Sequence, residues 1–568
     1  MARALKWIFL ASFLVLLLCI GLVVLALASG PAVSPASILH VRFSGPLRES
    51  VEPSLFSVLK GDESLALSTV TDSIRRAAKD ERVVGLILDV RASEFSLSDI
   101  QAIEAAMVTF RESDKWNAAF LETAGEFNRG DAPFALAACA DKICLSPPGD
   151  VSLTGLRAEV PFIKGTLDRL KIGTYVEKRY EYKNAPNTFT ETRMTPEHRE
   201  ALKAVVDDMQ EDLLLHIAER RRVPVETAHE WYAAGPQMAH EAVGRGLVDQ
   251  LGYWDEVLAE AEKVAGRDDA LLDVKEYARS GELHPRGPKV ALIVADGEVM
   301  RGESSGGDSP SIGSDTLTEA FRDARKDNVK GILLRINSPG GSYVASDLIR
   351  REVEITRAAG IPVVVSMGDL AASGGYFMAM AANRIVAEPS TITGSIGVFA
   401  ASISTRVALQ HWLGITIDTY DAAPHASFFQ ALDLPRESDR RRIGQFLDRI
   451  YDDFTSKAAH GRDMTPDALD KIAHGRIWSG RAALKLGLVD ELGDTEAALD
   501  SLKELIDLKP DAEVTLKLFP KPESPFATLA RLVNISTRLY GFIRTLERLR
   551  AEVDDGASLR LPWLLNIR

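Results

Sequence analysis

The chain has 568 residues, 46% of them hydrophobic and 26% charged, globular proportions that exclude a collagen-like, disordered or disulfide-stapled protein and leave room for about three or four domains, or fewer large ones. A net charge of −14 with no Lys/Arg stripe repels phosphate backbones and argues against a nucleic-acid partner. Three cysteines (Cys19, Cys139, Cys144), without CxxC or Cys/His ligand spacing, point to no metal and no cofactor.

The first predicted element is an apolar run from Trp7 to Ala28, preceded by Arg3 and Lys6 and followed by no charge until Arg42. As a helix rising 1.5 Å per residue it crosses a hydrocarbon core roughly 30 Å thick. Positive charges ahead of the span keep the N-terminus in the cytoplasm and send the body across. Residues 1–36 are therefore read as a cytoplasmic stub and transmembrane signal anchor, with the body outside the cytoplasmic (inner) membrane. A cleaved signal peptide is the rival, because Ala26-Leu27-Ala28 suits a cleavage site, but the run exceeds the usual apolar length of about 7 to 15 residues.

The body contains a duplication. Gly246-Leu-Val-Asp-Gln-Leu-Gly252 returns as Gly487-Leu-Val-Asp-Glu-Leu-Gly493, Ala140-Asp-Lys-Ile-Cys144 as Ala382-Asn-Arg-Ile-Val386, and Gly85-Leu-Ile-Leu-Asp-Val90 as Gly331-Ile-Leu-Leu-Arg-Ile336. The nearly constant offset is too long for a solenoid repeat, so the chain divides into two copies of one domain, 37–285 and 286–522. In the second copy, Val290–Val294, Gly331–Ile336, Pro362–Ser366 and Arg384–Ala387 are predicted strands, and Ala345–Ala359 and Gly375–Ala382 predicted helices. Short β-branched runs alternating with helices define an α/β domain with buried, partly parallel strands. Residues 523–568 lie beyond the repeat. Phe526, Leu529, Val533, Leu539, Phe542, Leu546 and Leu549 fall near helical spacing, which favours a packing helix over a membrane-surface helix.

Two glycine-rich turns in the second copy can carry chemistry. The strand at 331–336 ends in Asn337-Ser-Pro-Gly-Gly-Ser342, where paired glycines expose backbone N–H groups to an anion or a carbonyl oxygen. The next strand leads to Ser373-Gly374-Gly375-Tyr376, and Thr393-Gly-Ser395-Ile-Gly397 follows the one after. A serine at a helix start sits beside unpaired N–H groups that stabilise an oxyanion, or it is merely an N-cap. No histidine is placed by a motif beside Ser373, and lysine is the known alternative base; Lys183, in Tyr180-Glu-Tyr-Lys-Asn-Ala-Pro186, is one candidate that nothing in the sequence itself singles out.

Together, Ala371-Ala-Ser-Gly-Gly-Tyr376, Asn337-Ser-Pro-Gly-Gly341, Pro389-Ser-Thr-Ile-Thr-Gly-Ser-Ile-Gly397 and Tyr182-Lys-Asn-Ala-Pro186 resemble the signatures of the long, duplicated form of bacterial signal peptide peptidase A, within the superfamily of Clp protease and crotonase. The resemblance spans residues 37 to 520 and the anchor. It implies two tandem crotonase/Clp-protease-like domains, a nucleophile at Ser373, a general base at Lys183, a lysine-orienting hydroxyl at Ser395, and oxyanion-binding amides near Gly374 and Gly340/Gly341. It also implies apolar peptide substrates such as spent signal peptides, and a ring-like homotetramer. The duplication gives an independent check: Ser373 aligns with Asp131 and Lys183 with Ala426, so each copy supplies what the other lacks and the expected site is composite. The rivals are a Ser373–His425 pair within the second copy, a crotonase-like acyl-CoA enzyme, and an inactive scaffold of the same fold.

Overall fold

The computed structural model describes residues 33–45, 47–49, 65–91, 94–280, 287–306, 309–428, 430–521, 558–560 and 566–567. The first copy begins with β1 (Ser37–Phe43), α1 (Leu67–Lys79), β2 (Val83–Val90), α2 (Leu97–Arg111), β3 (Trp116–Leu121), α3 (Asp131–Ala138) and β4 (Ile143–Leu145). After β5 (Gly173–Lys178) and the long helix α4 (Pro196–Arg220) it closes with β6 (Gln250–Leu251) and β7 (Leu271–Asp273). The sheet order is β7-β1-β2-β3-β4-β6, and every pair is parallel.

The second copy contains β8 (Lys289–Asp296), β9 (Glu298–Met300), β10 (Ser311–Gly313), β11 (Gly331–Ser338), β12 (Gly340–Ser342), α5 (Tyr343–Ala358), β13 (Val363–Ala372), α6 (Gly374–Ala379), β14 (Arg384–Ala387), β15 (Ile392–Gly394), β16 (Phe399–Ser404), α7 (Glu437–Gly461), β17 (Ile477–Ser479), β18 (Glu491–Leu492) and β19 (Thr515–Phe519). Its parallel pairings run β19-β8-β11-β13-β14-β18, the strand order of the first copy repeated. The α/β class expected from the sequence is present twice, and the four strands and two helices predicted for the second copy all form, although the strand predicted at Pro362–Ser366 runs on to Ala372. The reason is local: these strands are buried on both faces, so they read as continuous apolar runs.

Each copy has its own apolar core, one within residues 33–277 and the other within 291–519. A smaller cluster joins them, where Val205 and Met209 of α4 pack on Ala372 and Ile392. A third sheet, β10-β9-β12-β20-β16-β5, draws strands from both copies and from β20 (Ser558–Arg560) near the C-terminus. The predicted transmembrane span at 7–28 and the helical pattern at 526–549 lie outside the described residues. Residues 558–560 and 566–567 are strand, so the 523–568 extension is not wholly helical. Among the described residues no helix is long and apolar enough to cross a membrane.

Candidate active site

β13 delivers Ser373 to the site. The strand starts as Val363-Val-Val-Ser and is buried except at the half-buried Asp369 and Leu370 before its end at Ala372, and the chain then turns sharply into α6. At the turn Ser373 adopts φ 57° and ψ −114°, a region that side-chain-bearing residues avoid and that recurs at functional turns. Its N–H donates to the Gly394 carbonyl at 2.8 Å, and its carbonyl accepts from the Phe377 N–H at 2.8 Å. The N-cap alternative fails, because the Ser373 side chain accepts no N–H from α6. Its Oγ lies instead 2.8 Å from Lys183 Nζ.

Lys183 comes from the first copy. β5 pairs antiparallel with β16 from Lys178↔Phe399 to Gly173↔Ser404, and the loop that follows is pinned to the second copy. The Arg179 N–H donates to the Val398 carbonyl, the Tyr180 ring stacks on His474 at 4.1 Å, and the Arg476 guanidinium covers the Tyr182 ring while pairing with Glu200. Lys178 Nζ donates to the Lys183 carbonyl and to Asn187 Oδ1, each at 3.2 Å. Lys183 Nζ also lies 3.0 Å from Ser395 Oγ and 3.1 Å from the Ser395 carbonyl. No carboxylate is among these partners. Only 1% of Lys183 is exposed, and burial pushes its pKa down from 10.5 to about 7, because a low-dielectric surrounding disfavours the ammonium.

The structure thus brings together Ser373, Lys183 and Ser395, and sets the two predicted glycine turns against each other. A Cβ added to Gly374 would come within 3.0 Å of Gly340 Cα and Gly341 N, so the β12 backbone abuts the start of α6. The Gly340 N–H donates to Ser338 Oγ at 3.2 Å. In the first copy, Asp131 opens α3 where Ser373 precedes α6, and its carboxylate accepts from the Gly155 N–H and the Thr154 hydroxyl. His425 is not at the site; it is largely exposed and faces Asp439.

Sequence reasoning missed Gly475 and Lys178. A Cβ on Gly475, whose φ is +81°, would stand 2.6 Å from Lys183 Cβ. Gly475 carries no signal beyond being a glycine, since its reason is a contact nearly 300 residues away in sequence.

Comparison with known proteins agrees with this architecture. The profile of Peptidase family S49 matches residues 130–268 and 355–509, one region in each copy. Protease 4 of Salmonella typhi is 34% identical over 461 residues, covering 78% of this chain and 72% of that protein. "Serine protease SPPA, chloroplastic" of Arabidopsis thaliana is 28% identical over 94% of this chain and 78% of its own, and Protease 4 of Haemophilus influenzae is 29% identical over 78% and 74%. The molecule is a serine-type peptidase. It belongs to Peptidase family S49.

Proposed function

We propose that the chain is a membrane-anchored serine endopeptidase with Ser373 as nucleophile and Lys183 as general base, and that it degrades apolar peptides, signal peptides among them, after their release into the membrane. The observation that carries the reading is the 2.8 Å approach of Lys183 Nζ to Ser373 Oγ in a buried, carboxylate-free setting. With a pKa of about 7 the lysine is mostly neutral at slightly alkaline pH. Its lone pair takes the Ser373 proton as Oγ bonds to the scissile carbonyl carbon. The carbonyl electron pair moves onto oxygen, which faces the N–H groups of Gly374 and Gly341; one such donor is worth about 10² to 10³ in rate. Gly340, whose N–H is held by Ser338, supports the turn. Lys183 passes its proton to the leaving amine as the C–N bond breaks, then deprotonates the water that hydrolyses the ester. Ser395 is a positioning residue for the lysine.

The substrate class follows the sequence resemblance to signal peptide peptidase A, as does the Clp/crotonase-like description of the two copies, divided near residue 285. Arg3 and Lys6 ahead of an uncharged span support an anchor with the body outside the cytoplasm; a reporter fused after residue 568 should be active only there. The duplication supports a ring. Ser98 and Gln101 of α2 bond to Asp369 and Ser390 of the second copy. The equivalent helix α5 leaves Val344 and Leu348 about half exposed, at 51% and 48%. A neighbouring chain repeating the α2 contact on α5 makes a heterologous interface that closes by rotation, which suits a homotetramer.

The test is cleavage of casein and of an apolar signal peptide by wild type, Ser373→Ala, Lys183→Ala and His425→Ala across about pH 6 to 10. Ser373→Ala should be inactive, Lys183→Ala should lose about 10² to 10⁴ in kcat, and His425→Ala should match wild type. Wild-type kcat/KM should rise with pH through about 7 as Lys183 sheds its proton. Activity lost in His425→Ala and kept in Lys183→Ala would refute the dyad.

A further inference from the structure

Three consecutive residues of the second copy, His474-Gly475-Arg476, connect the loop that carries Lys183 to the turn that carries Ser395. Their backbone pairs with the turn. The Gly475 N–H donates to the Ile396 carbonyl and the Ser395 N–H to the Arg476 carbonyl, each at 2.7 Å, and β17 continues the contact as the antiparallel partner of β15. Ser395 needs the hold, because its φ of 53° is a left-handed conformation that a side-chain-bearing residue keeps only where its surroundings fix it. The side chain of Arg476 reaches the loop. Its guanidinium carbon lies 4.9 Å from the centre of the Tyr182 ring and 4.5 Å from that of Trp478, and it donates to Glu200 Oε1 at 2.6 Å. The other oxygen of Glu200 accepts from the Tyr182 hydroxyl at 2.9 Å. Tyr182, the residue before Lys183, is thus held by its face and its hydroxyl at once.

From this, and resting on the reading of Lys183 as general base, we infer that Arg476 is a positioning residue: through Tyr182 and Ser395 it sets the reach of Lys183 Nζ to Ser373 Oγ and keeps water from the lysine. One arginine grips the lysine's loop with its side chain and the lysine's serine partner with its carbonyl. Burial lowers the Lys183 pKa, so the base depends on the loop staying closed over it; a loop that opens admits water, and water favours the ammonium. Arginine suits the task because its planar cation stacks on an aromatic ring while pairing with a carboxylate, and a lysine ammonium lacks that planar face. The pair with Glu200 is partly exposed, at 18% and 55% for the two side chains, so its ionic share is small and the ring contacts carry the hold. The other charged groups around the loop have partners of their own: His474 lies 3.4 Å from Glu181 and 3.2 Å from Asp470, and Lys178 donates to the Lys183 carbonyl.

The test measures kcat and KM for an internally quenched apolar peptide across about pH 6 to 10 in wild type, Arg476→Ala, Arg476→Lys, Tyr182→Leu and the double variant Arg476→Ala/Tyr182→Leu, with circular dichroism as the check on folding. Arg476→Ala should lower kcat about 10- to 10²-fold with KM within about twofold of wild type. The midpoint of the acid limb of its kcat/KM should move from about 7 to about pH 8 or above. Arg476→Lys keeps the ion pair, and with it the fold, but not the planar stack; it should lose severalfold in kcat and shift the limb the same way. The double variant should lose no more than Arg476→Ala alone, because both changes open one loop. A kcat and an acid limb both like wild type in folded Arg476→Ala would overturn the inference. So would a lowered kcat with the limb unmoved, which would make Arg476 a prop for the fold, and so would losses that multiply in the double variant. If Arg476→Ala does not fold, Arg476→Lys and Tyr182→Leu decide by the same limb. Failure of the base reading has a different signature: Lys183→Ala as active as wild type, whatever the Arg476 variants do.

Discussion

Ser373 occupies a conformation that glycine adopts freely and serine does not, at φ 57° and ψ −114°. Backbone held this way costs about 1 to 3 kcal/mol and persists only where its surroundings over-determine it; here the pairings with Gly394 and Phe377 do so. Ser373→Gly should therefore be inactive yet more stable than wild type by about 1 to 3 kcal/mol. Ser373→Ala should be inactive and lose only about 0.5 to 1.5 kcal/mol, because it gives up the bond to Lys183 Nζ but no capping bond. Denaturant midpoints of the three proteins check this, and a glycine variant less stable than wild type would refute the backbone strain. Lys183 adds a second stability cost. Its folded-state pKa of about 7 lies below the 10.5 of the free side chain, so the unfolded chain binds more protons between those values and stability rises with pH across that window.

At the scale of elements, a strand and a loop from one copy must meet a turn from the other, and close backbone contacts set the distance. Gly475 and Gly397 are such contacts: a Cβ on Gly397 would approach Gly475 Cα to 2.8 Å, and one on Gly475 would approach Lys183 Cβ to 2.6 Å. Gly475→Ala should fold, push the Lys183 loop outward and lower kcat by about 10²-fold, with KM little changed; steady-state kinetics and a near-native circular dichroism spectrum together check it. These elements also mark where the sequence is legible. β11, β13, α5 and α6 are readable because each is specified by its own apolar period and turn residues. Ser373 is visible as a hydroxyl at a strand-to-helix turn, and Lys183 only through the resemblance and the duplication, because the need for that lysine is met across 190 residues. β5 goes unread because none of its residues is fully buried, and β20 because its strand pairing is imposed by β12 and β16 rather than by its own sequence.

At the scale of the molecule, the two apolar cores stay separate and much of the contact between copies is polar. The Arg335 guanidinium grips both oxygens of Glu49 at 2.8 and 2.9 Å, Arg75 pairs with Asp494 and Arg481 with Asp212, and Ser390 Oγ donates to Gln101 at 2.7 Å. Buried ion pairs add little net stability, but leaving one partner alone is costly, which favours one mutual orientation of the copies over others. On α5, Val344 and Leu348 stay about half exposed among the described residues. Leu348→Glu should reduce the assembled mass in sedimentation without unfolding the chain; an unchanged mass would place the interface elsewhere. Finally, joining Lys183 and Ser373 in one polypeptide has a genetic consequence. Two null alleles, one encoding Ser373→Ala and the other Lys183→Ala, cannot complement each other, because no mixture of the two products contains an intact pair. Co-expression should yield no more activity than either allele alone, and any substantial recovery would require the lysine of one chain to serve the serine of another. The number of working centres in a cell is then set by gene dosage, one for each chain made, although every chain carries the fold twice.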